Sequence, residues 1–409
     1  EEDKEILTGM IMGELRVGAV EGLILGGIAK ASNISLKEVR EAYMLSGEMG
    51  KIARIAIHKG REEVRSIKIE PFNPLRPMLA TSVDTLEEAF GTRDNVAVEV
   101  KYDGARVQIH LRDGTVKIFS RRLTEVTKSL PDVVEMVKSK VYTQEAVLEG
   151  EVVGIDSRGK PLPFQYLMRR FRRILRIEEA VKKIPIELHL FDILYINGEM
   201  LIHKPYSERY LTLEKVADIQ VLTERLVTED IREAKALYQR AIEMGHEGVM
   251  VKNLESPYIL GRRGKHWLKV KKVGTLDLVI IGADWGHGRR RGWLSDYYLS
   301  AYRPDTDEFE IIGKTFKGLT DQEFRSITQQ LLSLKTYEKD YTVWVRPQIV
   351  VEVAFNEIQK SPTYPCGYAL RLARIVRFRE DKTPSEADSI QKVAELYEKQ
   401  FKYKGKAEF

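Results

Sequence analysis

Three prolines within seven residues, Pro71, Pro74 and Pro77, divide this chain into parts that cannot share one regular element. Proline fixes φ and removes a backbone donor, so neither a helix nor a central strand runs through Glu70–Pro77. The stretch reads as a strap between two blocks of different periodicity. Before it, Leu7, Ile11, Leu15 and then Val20, Leu23 and Ile24 recur at helical spacing, and Ser35 precedes another periodic run with Val39, Ala42 and Leu45. After it, strands are expected at Val96–Asp103, Val107–Leu111, Val116–Ser120, Ala146–Ile155, Ile186–Ile196, Gly248–Val251 and His266–Val270. Helices are expected between them at Thr85–Phe90, Leu130–Ser139, Tyr166–Val181 and Ile231–Met244. The strands do not alternate regularly with helices, which favours α+β over a doubly wound sheet.

A third block opens after Val273-Gly274-Thr275. Short strands at Leu276–Ala283, Asp296–Arg303, Glu308–Thr315, Thr342–Val345 and Ile349–Ile358, with one helix at Asp321–Leu332, suit a small Greek-key barrel of the OB type. Ser385-Glu386-Ala387-Asp388 is expected to cap a last helix ending near Phe401. The expected domains are thus a helical segment at 1–75, an α+β domain at 76–274 and an OB-fold domain with a terminal helix at 275–409. A length of 409 residues allows about two to four domains of ordinary size. With 43% hydrophobic and 31% charged residues, the composition excludes disorder, collagen and disulfide scaffolds. The lone Cys366 can close no internal disulfide, and no cysteine cluster can hold zinc. The opening EEDKEILTGM is no signal peptide and no apolar run is long enough to span a membrane, so a cytoplasmic protein is expected.

The segment Val96–Arg106 carries the most chemistry. Strand period puts Glu99, Lys101 and Asp103 on one face and Val98, Val100 and Tyr102 on the other. Three charges on one face of a short strand gain nothing for folding, but they suit the wall of a polar cleft. Gly104 then permits close backbone approach. A second strand sets Glu149 and Glu151 on one face, where carboxylates opposite a lysine can share a hard cation with phosphate. A third puts Trp267, Lys269 and Lys271 on one face, inviting an anion and able to depress a neighbouring amine. That matters for Lys101, because a lysine near its reference pKa of about 10.4 is protonated and no nucleophile at neutral pH. The expectation is an amine at position 101 that sits unprotonated beside cations. Glu247 is not settled by strand parity, although Gly248 could mark a break there.

Lys101-Tyr102-Asp103-Gly104 resembles the KxDG signature of covalent nucleotidyltransferases, and five further motifs follow in family order. They are Ser120-Arg121-Arg122, Leu148-Glu149-Gly150-Glu151 with its companion Leu190–Leu194, Glu247–Lys252, Trp267–Lys271, and Arg379-Glu380-Asp381-Lys382. The chain is most similar to ATP-dependent DNA ligases of the archaeal replicative type. Leu15-Arg16-Val17-Gly18 resembles part of their helical DNA-binding domain, and Pro77-Met78-Leu79-Ala80 the entry to their catalytic domain. The resemblance implies that Lys101 takes AMP from ATP, passes it to a DNA 5′-phosphate, and that a 3′-hydroxyl then seals the nick. It implies nucleotide contacts from Glu99, Arg106, Arg121, Glu151, Phe191, Lys269, Lys271, Arg379 and Lys382, and Mg²⁺ contacts from Glu151, Glu247 and Asp381.

DNA contacts are expected at Arg16 and Gly18, at Arg289, Arg290 and Arg291 in a glycine-rich loop, and at Arg371 and Arg374. The arginines near Phe171 read equally as solvated charge or as phosphate contacts. Where the family has RFPR, this chain has Arg371-Leu372-Ala373-Arg374. The helical segment is shorter than the family's DNA-binding domain, so a truncated one is expected, with any sliding-clamp contact outside it. A monomer is expected. A capping guanylyltransferase or an RNA ligase is the alternative within the superfamily, and a noncatalytic OB-fold nucleic-acid binder the alternative outside it.

Overall fold

The computed structural model describes residues 21–91, 95–171 and 177–405. Arg16 and Gly18 lie outside these residues. Among the described residues, four helices come first, Glu21–Ser32, Leu36–Ser46, Met49–His58 and Arg61–Arg65. Ser35 caps the second by accepting from the Glu38 N–H, and Gly47 ends it in the left-handed region at φ 69°. Leu25, Ile28, Val39, Ala42, Ile52 and Val64 close a core of their own.

The proline strap is pinned rather than loose. Leu75 and Met78 are fully buried. Gln108 Oε1 accepts from the Leu75 N–H at 2.6 Å, and His110 Nδ1 accepts from the Phe72 N–H at 3.0 Å. His110 is therefore a structural residue, and burial pushes its imidazole down to about 3.

Two five-stranded sheets form the central part. The first orders Leu79–Val83, Arg263–Lys271, Gly248–Asn253, Val96–Lys101 and Arg225–Thr228. The second orders Thr115–Ser120, Ala105–Arg112, Glu145–Gly154, Ile186–Ile196 and Glu199–Met200. The chain leaves the first sheet at Lys101 and enters the second at Ala105, so Tyr102-Asp103-Gly104 is the crossing point. A Cβ on Gly104 would stand 2.2 Å from the Val152 carbonyl oxygen and 2.9 Å from Glu151 Cγ, which is why the crossing needs glycine.

The strand Gly274–Trp285 follows Lys271 directly and starts the C-terminal sheet. That sheet orders Glu308–Thr315, Leu294–Arg303, Gly274–Trp285, Thr342–Phe355 and Lys335–Lys339, with Arg374–Phe378 also paired to Thr342–Phe355. Glu357–Lys360 and Tyr368–Arg371 form a separate ribbon. Strand pairing among the described residues gives a curved open sheet over one core, not the closed ring expected of an OB barrel.

Several expectations need correction. The two strands expected at Thr342–Val345 and Ile349–Ile358 are one strand, Thr342–Phe355, followed by the short Glu357–Lys360. The last helix is Ile390–Gln400 and its cap is Ser389, while Pro384–Glu386 is a separate 3₁₀ turn. The described parts of the helix expected at Tyr166–Val181 are Phe164–Phe171 and Ile177–Lys183. Within it Arg170 is 1% exposed, ion-paired with Asp132, and donates to the Ile184 carbonyl at 2.7 Å. It is a buried brace and no phosphate contact. Alanine at Gly104 should cost about 1–3 kcal/mol, since backbone must move to admit the methyl group. Urea unfolding measures this, and an unchanged midpoint would contradict the crossing geometry.

Candidate active site

Strand register sets the site. Lys101 pairs with Gly248, and Gly248 with Lys271, so two lysines flank one glycine across three strands. Gly248 has φ 140°, and a Cβ there would meet the Val270 carbonyl at 2.2 Å. This break turns Glu247 toward the cleft, and the backbone clamps it. Its N–H donates to the Lys101 carbonyl at 3.0 Å, and its carbonyl accepts from the Lys272 N–H at 2.9 Å. Glu247 Oε2 then lies 2.9 Å from Lys101 Nζ and 2.5 Å from Lys271 Nζ.

The second sheet brings Glu149 and Glu151 to the same cleft, opposite Gln108 and Arg106. Arg106 is ion-paired with Glu149 and donates to the Met78 carbonyl at 2.7 Å and to Tyr258 Oη at 3.0 Å. Its guanidinium lies 5.4 Å from the Phe191 ring centre and 5.7 Å from that of Trp267. On the far side of the crossing, Asp103 takes Arg371 at 3.3 Å and Lys404 at 2.5 Å.

Electrostatics follow from this cage. Burial works to lower the Lys101 ammonium, but the charges of Glu247, Glu151 and Asp103 override it and hold its pKa above the ordinary lysine value. The expectation of an unprotonated amine is therefore corrected for the ligand-free protein. Burial lowers Lys269 to about 8, helped by Lys271 and Lys101, and lowers Lys271 too. Burial raises Glu151 to about 7 against the pull of Lys101. Asp103 and Glu247 are held below the usual carboxylate range by cations that outweigh their burial: Lys404, Arg371 and Lys101 for Asp103, Lys101 and Lys271 for Glu247. A lysine poised between carboxylates that a ligand can engage and two neighbouring lysines can be switched from ammonium to amine.

Comparison with known families decides what this cleft belongs to. Residues 77–271 match the ATP dependent DNA ligase domain, and residues 290–382 match the ATP dependent DNA ligase C terminal region. The chain belongs to the ATP-dependent DNA ligase family. A DNA ligase 1 of Korarchaeum cryptofilum is 47% identical over 97% of this chain and 72% of its own length. A DNA ligase of Thermococcus onnurineus is 43% identical over 99% of this chain and 73% of its own. The solved structure named Pmar-Lig_PreS3 shares the fold at a TM-score of 0.55 and 19% identity, covering 84% of each chain. This ligase is thus of the archaeal type, and its ligase domain includes Lys101 and every other cleft residue described above except Lys272, Arg371 and Lys404.

The ligase gathers Glu99, Lys101, Arg106, Glu151, Phe191, Glu247, Lys269 and Lys271 around one cleft. It does not gather the rest. Arg121 stands exposed in the turn after Thr115–Ser120. Arg379 holds Asp277 at 2.8 Å and Asp381 at 2.7 Å, and Lys382 holds Asp277 at 2.7 Å. All these ion pairs stay within the C-terminal domain, so Asp381 stands apart from Glu151 and Glu247. Arg289 and Arg291 are exposed, whereas Arg290 packs over Phe324 at 4.0 Å. Arg374 is exposed, 3.5 Å from Asp84. Arg371, expected on DNA, instead reaches Asp103 and lies 4.0 Å from the Phe164 ring.

Sequence reasoning missed Tyr206, Arg209, Tyr258 and Lys404, which approach the cleft from segments without a recognised motif. It gave Lys252 no role beyond closing the Glu247–Lys252 motif. Lys252 is 1% exposed and lies 2.6 Å from Glu99 Oε2, so it belongs to the cleft.

Glu151 gives a pH test. Its folded pKa is raised, so the neutral carboxyl favours folding at low pH, and that contribution is lost as pH rises from 4.5 through about 7. Glu151→Gln should therefore stabilise the metal-free protein at pH 8, by at most about 3 kcal/mol, and change little at pH 4.5. Thermal unfolding at the two pH values reads this directly. Destabilisation at pH 8 would contradict the assigned environment.

Proposed function

We propose that this protein seals nicks in duplex DNA through a lysyl-AMP intermediate on Lys101, using ATP and Mg²⁺. The observation that carries this reading is the convergence of Glu247, Glu151 and Asp103 with Lys269 and Lys271 on the Lys101 amine. Lys101 Nζ attacks the α-phosphorus of ATP as a free amine, a P–N bond forms, the bond to pyrophosphate breaks and the lysine proton departs. The AMP then passes to a DNA 5′-phosphate, and a 3′-hydroxyl displaces it.

Among the described residues no three His, Cys, Asp or Glu side chains form a ready-made metal site. The donors present fit Mg²⁺ all the same, since it commonly takes one or two carboxylates and completes its shell with phosphate oxygens and water. Glu151 and Glu247 would hold it, and it would supply electrophilic activation of the phosphorus. Engaging those two carboxylates takes away what keeps Lys101 protonated. Burial, Lys269 and Lys271 would then be opposed only by Asp103, whose charge is already shared with Arg371 and Lys404, and would favour the free amine. Lys269 and Lys271 also carry the charge needed by the α-phosphate.

Glu99 would meet the adenine amino group, Phe191 would stack on the base, and Arg106 and Arg121 would contact sugar and phosphate. Arg379, Asp381 and Lys382 would reach pyrophosphate only after leaving Asp277, which calls for a swing of the C-terminal domain. Arg289, Arg291 and Arg374 are exposed where DNA backbone could take them, and Arg371 would join them once released from Asp103. An OB-type fold remains our reading of the C-terminal domain, supported by its six antiparallel strands packed with the helix Asp321–Ser333 over a shared core. DNA as substrate would place the protein with the nucleoid in the cytoplasm.

Incubation with α-labelled ATP and Mg²⁺ tests the assignment. The unaltered protein should form an alkali-stable, acid-labile adduct and seal nicked duplex, and Lys101→Ala should lose at least about 10³-fold of both. Labelling that persists in the alanine variant would overturn the nucleophile.

A further inference from the structure

Resting on the ligase reading, we propose that Tyr206 and Lys252 are positioning residues that fix the Glu99 carboxylate and so make the cleft select a 6-aminopurine nucleotide over a 6-oxopurine one. Both are buried, at 0% and 1% exposure, and Glu99 itself is 2% exposed. The Tyr206 hydroxyl donates to Glu99 Oε1, and Lys252 Nζ stands 2.6 Å from Glu99 Oε2. Each carboxylate oxygen therefore has one fixed protein donor. A carboxylate offers about four lone-pair directions, so acceptor capacity remains for a ligand.

The same two residues also hold the backbone of the stacking aromatic. The Phe191 carbonyl accepts from Lys252 Nζ at 3.3 Å, and Tyr206 Oη stands 3.4 Å from it. Lys252 Nζ lies 4.8, 4.5 and 4.4 Å from the ring centres of Phe191, Tyr206 and Trp267. Behind them, Arg209 and Asp192 form a fully buried bidentate pair at 2.8 and 2.9 Å, with the guanidinium 5.4 Å from the Tyr206 ring centre. Arg225 Nε adds positive charge 3.9 Å from Glu99 Oε1. One network thus ties the residue that would read the edge of a base to the residue that would cover its face.

The selectivity follows from how Glu99 is held. With the Tyr206 hydroxyl donating to one oxygen and the Lys252 ammonium against the other, the fixed carboxylate presents acceptors, so it pairs with an exocyclic amine and opposes a carbonyl oxygen. Free to rotate, it would lose that fixed direction, and the discrimination would fall.

Calorimetric binding of AMP and IMP, which differ at C6 and cannot react with Lys101, tests the inference. The unaltered protein should prefer AMP. Tyr206→Phe, a nearly isosteric change, should shrink the AMP-to-IMP affinity ratio tenfold or more, which is about 1.4 kcal/mol. Lys252→Met should shrink it further, with urea unfolding confirming that this variant is folded. A merely structural role would weaken both nucleotides in parallel. A ratio that changes by less than tenfold in Tyr206→Phe, with or without a common loss of affinity, overturns the proposal, as does a chain that binds neither nucleotide. An unaltered chain that prefers AMP but makes no adduct with ATP would refute the ligase reading and leave the selectivity measurement standing.

Discussion

The ion triplet Lys101–Glu247–Lys271 is the interaction on which the rest of the cleft depends. It exists because Gly248 sits between two lysine-bearing strands in a backbone conformation that only glycine adopts at low cost. A side chain at 248 would clash with the Val270 carbonyl and push the strands apart. With the triplet in place, the carboxylate shares two ammonium groups in a half-buried setting, where charges interact far more strongly than in water. Removing either lysine would leave the other paired. Removing Glu247 would leave two lysines repelling each other at the centre of the site.

The triplet also gives the site its switch. The ligand-free protein stores Lys101 as an ammonium ion and Glu151 as a carboxyl that titrates near neutrality. Such storage protects the cleft from carrying several unbalanced charges at once. The cost of exposing a nucleophile is deferred until a triphosphate and its metal have something to offer the carboxylates. Across the crossing loop, Asp103 is held by Arg371 and Lys404, both of which also reach Glu357. The C-terminal domain is thus anchored on Asp103, next to Gly104, on the very loop that joins the two central sheets. Movement of that domain and the charge state of the cleft are physically linked.

Much of this was legible in the residues. Period-2 strands placed Glu99 with Lys101 on one face, and Lys269 with Lys271 on another, because alternation is set by backbone geometry alone. The strand ends at Lys101, so Asp103 comes from the crossing loop and not from the strand face. The boundaries of Ile186–Ile196 and Glu308–Thr315 were read correctly from apolar density. Lys335–Lys339 was not legible, because all five residues are exposed and carry no apolar alternation. Tyr206–Val216 escaped for a different reason: its helix starts after Lys204-Pro205 with no side-chain cap at all. The protonation of Lys101 was misjudged because sequence spacing lists neighbours without distances. Glu247 at 2.9 Å outweighs the two lysines that the strand pattern advertised. The docking of Lys404 on Asp103, three hundred and one positions away, left no local trace.

The charge state of the cleft turns on the titration of one amine. Selective isotopic labelling of lysine side chains, with Lys101→Arg to assign the resonance, would follow Lys101 by NMR from pH 7 to 11 in the metal-free, nucleotide-free protein. The account predicts an ammonium ion that titrates above the ordinary lysine value, and a fall in that pKa when Glu247 is replaced by Gln. A Lys101 already neutral at pH 8 without ligand, or one indifferent to the Glu247 change, would contradict it.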